Sequence, residues 1–260
     1  MSHLPRLLLG LTLVALGIWL LPSTRGPLRL PPSSQDLLRL SGPLRVLPVP
    51  FAWQAFGQAS RQQDETLTLA RGRWLLGLMP EAEGLYAGMA WQLAYDMTAT
   101  ESEPLGKARR IRQALILLDE GMRERPELAD LPALAGYVLQ DKARGPGMEE
   151  ALAEALGENP YLKASRYLGR AASIGKLGGG QRFLLMQLSV RLVELGERRF
   201  AAQVLETLAG TEMESGMSQS MRALALALRS PGPLRLSPRM CGWILKTEPF
   251  SRKPELWPCR

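Results

Sequence analysis

Histidine occurs once in this chain, at His3, so the Ser–His and Cys–His nucleophile systems have no base beyond that position. Gly175-Lys176-Leu177-Gly178-Gly179-Gly180 offers backbone amides and an ammonium, the materials of a phosphate cradle. The order is wrong for one. The lysine precedes the glycines, no Ser or Thr follows it to hold magnesium, and no strand pattern leads in. The stretch reads as an interhelical loop. Glu149, Glu150, Glu154 and Glu158 crowd a short helix, and paired carboxylates do acid–base work when burial separates their pKa values. Their solvent-facing spacing, with no His or Cys beside them, makes a hydrated face the simpler reading.

Two cysteines, Cys241 and Cys259, cannot complete a zinc site without other ligands. They pair as a disulfide if their compartment is oxidising, and remain two unrelated thiols otherwise. Lys107, Arg109, Arg110 and Arg112 gather at a helix start, where the macrodipole already disfavours cations. Glu101 and Glu103 stand just before them. Two accounts are open for this cluster: a solvated face offset by the loop carboxylates, or a site for an acidic partner or an anionic headgroup. The net charge of +7 is spread over many arginines, a weak signal from which no nucleic-acid partner is expected. No enzyme activity, cofactor or metal is expected either.

The elements that must carry these residues are helical. Hydrophobic residues make up 46% and charged residues 22%, the balance of a folded chain rather than a disordered one. Leu85, Met89, Leu93 and Met97 lie on one i, i+4 line, and Ile111, Ala114, Leu115, Leu118 and Met122 form another apolar stripe. Similar stripes predict helices over 64–79, 131–142, 148–156, 161–174, 181–195, 198–208 and 217–228. Trp91, Tyr95 and Tyr137 are expected to pack between helices, as aromatics at helical spacing usually do.

Leu7 to Leu21 carries no charge. As a helix it spans about 22 Å, against a hydrocarbon core of about 30 Å. That is the length of a signal-peptide apolar region, but Pro22-Ser23-Thr24-Arg25 holds no small-x-small cleavage pattern. Residues 1–22 are therefore expected to form an uncleaved N-terminal anchor. Arg25, Arg29 and Arg39 after the run favour a cytoplasmic body by the positive-inside rule, while the signal-like shape favours an exported one; the shape is followed here. Residues 23–49 read as a Pro-rich tether, residues 50–229 as the helical domain, and residues 230–260 as an irregular Pro-rich tail.

The punctuation of the helical domain resembles the tetratricopeptide repeat, a helix-turn-helix unit with small residues at its crossings and a closing proline. Pro126 and Pro160 stand 34 residues apart, with Gly136 and Ala155 where that repeat wants small side chains. Pro80 and Pro126 are 46 apart, which implies 12 inserted residues, best placed in Thr98–Gly106. The block Trp91-Gln92-Leu93-Ala94-Tyr95, with Leu118-Asp119-Glu120-Gly121 and Pro126, is similar to membrane-anchored bacterial repeat proteins of unassigned function. The resemblance implies an all-α solenoid of stacked antiparallel hairpins behind an N-terminal transmembrane helix. It implies a single-pass protein of the bacterial inner membrane with a periplasmic body, acting as a non-catalytic scaffold for protein partners in the cell envelope. An enzyme, or an enzyme's accessory subunit, acting on envelope polymers is the competing class.

In that repeat the first helix of each pair lines an inner groove. The resemblance therefore points to Tyr86, Gln92, Tyr95, Gln140 and Arg166 as partner-binding residues. Arg109, Arg110 and Arg112 would attract an acidic segment beside them, and the inserted loop Thr98–Gly106 would serve recognition.

Overall fold

The computed structural model describes residues 48–79, 82–175, 177–211 and 215–259. The expected anchor at Leu7–Leu21, the tether up to residue 47, Pro80 and Lys176 lie outside the described residues. Every regular element among the described residues is helical. None of the described helices is long and apolar enough to cross a membrane. The chain forms two compact units, divided after Gln92.

In the first unit α1 (Val49–Arg61) packs on α2 (Glu65–Leu78), and α3 (Glu83–Trp91) packs on α2. Pro50 sits in the first turn of α1, where its missing N–H costs no hydrogen bond. Asp64 caps α2 by accepting from the Leu67 N–H at 2.9 Å. Ala52, Phe56, Leu75 and Leu78 are buried, and Gly72 lets the Met89 side chain and Phe56 close over the α2 backbone. Trp91 departs from expectation: it is 42% exposed. The helix does not continue as one regular α-helix to Met97 either. Gln92–Asp96 is a π-helical turn followed by a short α-turn, Met97–Ala99, yet Leu85, Met89, Leu93 and Met97 are all buried, as their i, i+4 line predicts.

The second unit is built round α4 (Pro104–Glu124), α5 (Asp130–Lys142), α6 (Met148–Leu156) and α7 (Pro160–Ile174). Each of Ile111, Ala114, Leu115, Leu118 and Met122 is buried on α4, as the stripe predicts. α4 packs on α5 and α6, while α5 packs on α7, so each helix meets the next but one as well as its neighbour. α5 is wrapped on several sides, by α4, α7 and α8 (Gly179–Glu194), and most of its residues are buried. Gly136 is required at its crossing with α7, because a Cβ there would meet Leu168 Cγ at 2.5 Å and the Ala164 carbonyl at 3.2 Å. Gly157, at φ +72°, ends α6 in the left-handed conformation that glycine adopts without strain. Asn159 then caps α7, accepting from the Tyr161 N–H at 2.9 Å.

α8 packs on α9 (Arg198–Ala209), and α9 on α10 (Ser215–Arg229). The inserted loop is shorter than expected. Thr98 is buried, its hydroxyl donating to the Ala94 carbonyl, and Pro104 already begins α4, so only residues 100–103 remain outside helices. The tail is more ordered than its proline content predicts. It contains α11 (Pro238–Ile244) and two 3-10 turns, Phe250–Arg252 and Pro254–Leu256. Phe250 is fully buried between Trp243 and Trp257, with ring centroids at 5.2 and 5.8 Å. Cys241 and Cys259 form a disulfide.

Candidate functional site

A cleft of about 510 Å³ opens in the second unit. Gln140 comes from the last turn of α5 and Arg144 from the turn that follows it, Glu149 and Glu150 from the first turn of α6, and Tyr161 from the first turn of α7. Gln187, Arg191 and Glu194 share one face of α8 at i, i+4 and i+7. The tail closes the rim with Pro249, Arg252 and Lys253, since the Phe250–Arg252 turn packs on α8.

Arg191 is the hub. Its Nη2 donates to Glu149 at 2.6 Å and its Nη1 to Glu194 at 2.9 Å. Its guanidinium lies 5.2 Å from the centroid of the Tyr161 ring. Hydrogen bonding to Glu194 raises the Arg191 pKa, burial opposes that rise, and Glu149 adds to it. Glu194 also takes the Lys253 ammonium at 3.0 Å. Burial pushes the Glu194 carboxyl up, but the hydrogen bonds from Arg191 and Lys253 outweigh it and hold the group below the usual carboxylate value. Arg144 donates to Gln187 at 2.7 Å. The charges on the cleft are thus largely matched across four elements. Two polar atoms are not: Gln140 Oε1 and Arg191 Nε are buried without a hydrogen-bond partner.

Of the residues expected to bind a partner, Gln140 alone lines this cleft, and it does so as a buried side chain, 1% exposed. Its burial follows from the position of α5 among α4, α7 and α8. Tyr86 is buried as well, so neither presents the open groove surface expected of it. Tyr86 and Gln92 belong to the first unit and the other six to the second. Tyr95 stacks on Tyr137 at 6.4 Å, donates to Asp141 at 3.0 Å and lies 3.8 Å beneath the Lys142 ammonium. Burial, then the bond to Asp141, raises its pKa far above the ordinary phenol value. Desolvation lowers that of Lys142. Arg166 is exposed on α7 and ties to Glu158.

The basic cluster divides. Arg110 donates to the Met97 carbonyl and faces Glu101 at 3.6 Å, so it fastens the chain ahead of α4. Arg109 and Arg112 point to solvent on α4. The Ser173-Ile174-Gly175-Lys176 stretch has the S-x-x-K spacing of a lysine-activated serine. The exposed Ser173 hydroxyl donates to the Arg170 carbonyl of its own helix at 2.8 Å. Among the described residues no group of His, Cys, Asp and Glu is arranged to hold a metal ion.

The sequence did signal part of the cleft. Gln187, Arg191 and Glu194 are a polar row at helical spacing on α8, but nothing in the sequence says that Arg191 meets Glu149, 42 residues earlier. Compared with known proteins, the chain matches no family model, no curated protein and no solved structure.

Proposed function

We propose that this protein is a membrane-anchored, non-catalytic helical scaffold that holds a protein partner in the bacterial cell envelope. Leu7–Leu21 is the anchor in this reading, spanning the inner membrane once with the body in the periplasm. The helices are units of a tetratricopeptide-like array, a reading favoured by the way α4 meets α6, α5 meets α7 and α7 meets α9. One observation carries the assignment: five separate elements supply a cleft in which Glu149, Arg191, Glu194 and Lys253 form a chain of alternating charges that lock one another in place. Such a wall is preorganised and offers hydrogen bonds and directional charges to a polypeptide. It has no nucleophile poised beside a base.

Site-specific photo-crosslinking in intact envelopes tests the assignment. A crosslinker at the exposed Glu150 on the rim should give a discrete protein adduct, and one at Leu226 on the exposed face of α10 should not. Equal labelling from both positions, or none from Glu150, removes the scaffold reading. Chemical turnover of an isolated envelope polymer by the purified chain would replace it with the enzyme reading.

A further inference from the structure

Two half-exposed aromatics stand at the start of α1, the first described helix after the expected anchor. Phe51 is 49% exposed and Trp53 44%, while Ala52, Phe56 and Ala59 of the same helix are buried. Trp53 leans edge-on against Phe56, with ring centroids 6.0 Å apart, which braces it at the surface. The exposed side of α1 continues with Gln54, Gln58 and Arg61, and the helix holds no acidic residue. Two half-exposed rings present about 200 Å² of apolar surface. A stable dimer buries about 800 Å² on each partner, so this patch is too small to hold a second copy. A bilayer interface asks for less: aromatic rings at headgroup level with cations beside them.

The charge of the neighbouring chain fits that occupant. Between residues 22 and 61 stand Arg25, Arg29, Arg39, Arg45 and Arg61, against the single carboxylate of Asp36. Such an excess is drawn to anionic headgroups. The start of α1 has no acidic residue in its first turn and no side-chain cap, so its partial positive charge adds to the attraction. Residues 22–48 span about 30 Å as a flexible coil. An anchor at Leu7–Leu21 therefore keeps α1 at about millimolar effective concentration over the bilayer, where a weak interfacial affinity suffices. We propose that α1 seats its N-terminal turn on the membrane surface, with the Phe51 and Trp53 rings at headgroup depth in an anionic bilayer. The seat rests on the anchor reading and adds a second, reversible contact to it.

The test uses the full chain in vesicles of phosphatidylethanolamine and phosphatidylglycerol. Gln54→Cys places a thiol beside Trp53, and because the native cysteines are paired a fluorescent probe attaches there alone. Lipids bearing a doxyl quencher should quench this probe and spare one at Gln203→Cys, an exposed position on α9. In Phe51→Ser/Trp53→Ser the ratio of seated to lifted α1 should fall about tenfold or more, given the apolar area lost. If the double variant loses helicity, Phe51→Ser replaces it and should show a smaller fall. Flotation after alkaline extraction reads the anchor separately. A chain that does not float removes the anchor and the seat together. One that floats, with position 54 open to aqueous iodide and untouched by the lipid quencher, removes the seat alone. A probe at position 54 shielded from both quenchers assigns the face to a second copy or another stretch of the chain, and overturns the proposal. Equal quenching at the two positions, or quenching unchanged in the variants, overturns it as well.

Discussion

Leu168 of α7 lies so close to Gly136 of α5 that a Cβ on the glycine would stand 2.5 Å from Leu168 Cγ. The Ala164 carbonyl limits any retreat, since it would be 3.2 Å away. Helices α5 and α7 therefore touch nearly backbone to backbone. Gly136→Val should cost about 2 kcal/mol, from overpacking at a crossing that cannot widen freely. Gly169, on α7, has open space where its Cβ would go, and Gly169→Ala should stabilise by up to about 1 kcal/mol through helix propensity. Urea unfolding of both variants decides the matter. If Gly136→Val is neutral, the two helices are not interlocked there.

The Glu194 clamp gives the protein an acid limit. A carboxyl held below its usual pKa contributes stability that is present above the unfolded value, about 4.3 for Glu. That contribution disappears as pH falls through the lower folded value. Glu158 shifts the same way: burial raises it, but hydrogen bonds from Arg166 and Lys163 hold it down. Melting temperature should stay level from neutral pH to about 5 and fall below about 4. Glu194→Gln should lose about 1 kcal/mol or less at pH 7, since the clamp is partly exposed to solvent. Its acid limb should be shallower than that of the wild type. Identical acid limbs in the two proteins would show that the clamp contributes nothing.

The tail should depend on its disulfide. Cys241 and Cys259 are 18 residues apart, and a loop of that size stabilises by about 3 kcal/mol when closed. The double variant Cys241→Ser/Cys259→Ser should be nicked by trypsin at Arg252 many times faster than the wild type. The α4–α7 helices should keep their hydrogen-exchange protection. Unchanged nicking would assign the hold to Phe250 and Trp257 packing alone.

On α4 the arginines separate by role. Arg109 and Arg112 are exposed, so Arg109→Gln/Arg112→Gln should leave helicity intact. If an acidic partner uses this face, the double variant should weaken its capture at low salt. The difference should shrink as ionic strength rises past about 0.1 M, where the screening length is about 10 Å. Arg110→Gln should instead loosen the Met97–Glu103 connection, read by hydrogen exchange. Capture that falls only when Arg110 is replaced would make the cluster structural.

Local periodicity made most of the helices legible. All five residues expected on the apolar stripe of α4 are buried, and packing on two neighbours widens the buried face to Ala108, Leu117 and Gly121 as well. Gly157 before Pro160 marked the end of α6, because glycine there relieves the left-handed stop. The π-turn at Gln92–Asp96 left no such mark, whereas the exposure of Trp91 follows from its place two residues from both Met89 and Leu93, across the helix from their buried line.

The partner-binding residues were harder to read. Tyr86 and Gln140 carry side chains common on surfaces, and a sequence does not say how many neighbours will surround their helix. The sequence by itself determined that this chain folds as helices, where most of them begin and end, and that a histidine-based nucleophile is absent from the folded body. Only the tertiary structure decided that Cys241 reaches Cys259, that Arg191 joins Glu149 to Glu194, and that Gln140 lies under a cleft. The reason is physical: periodicity is set by neighbours three and four residues away, whereas a cleft is set by contacts across dozens of residues, fixed only when whole helices pack.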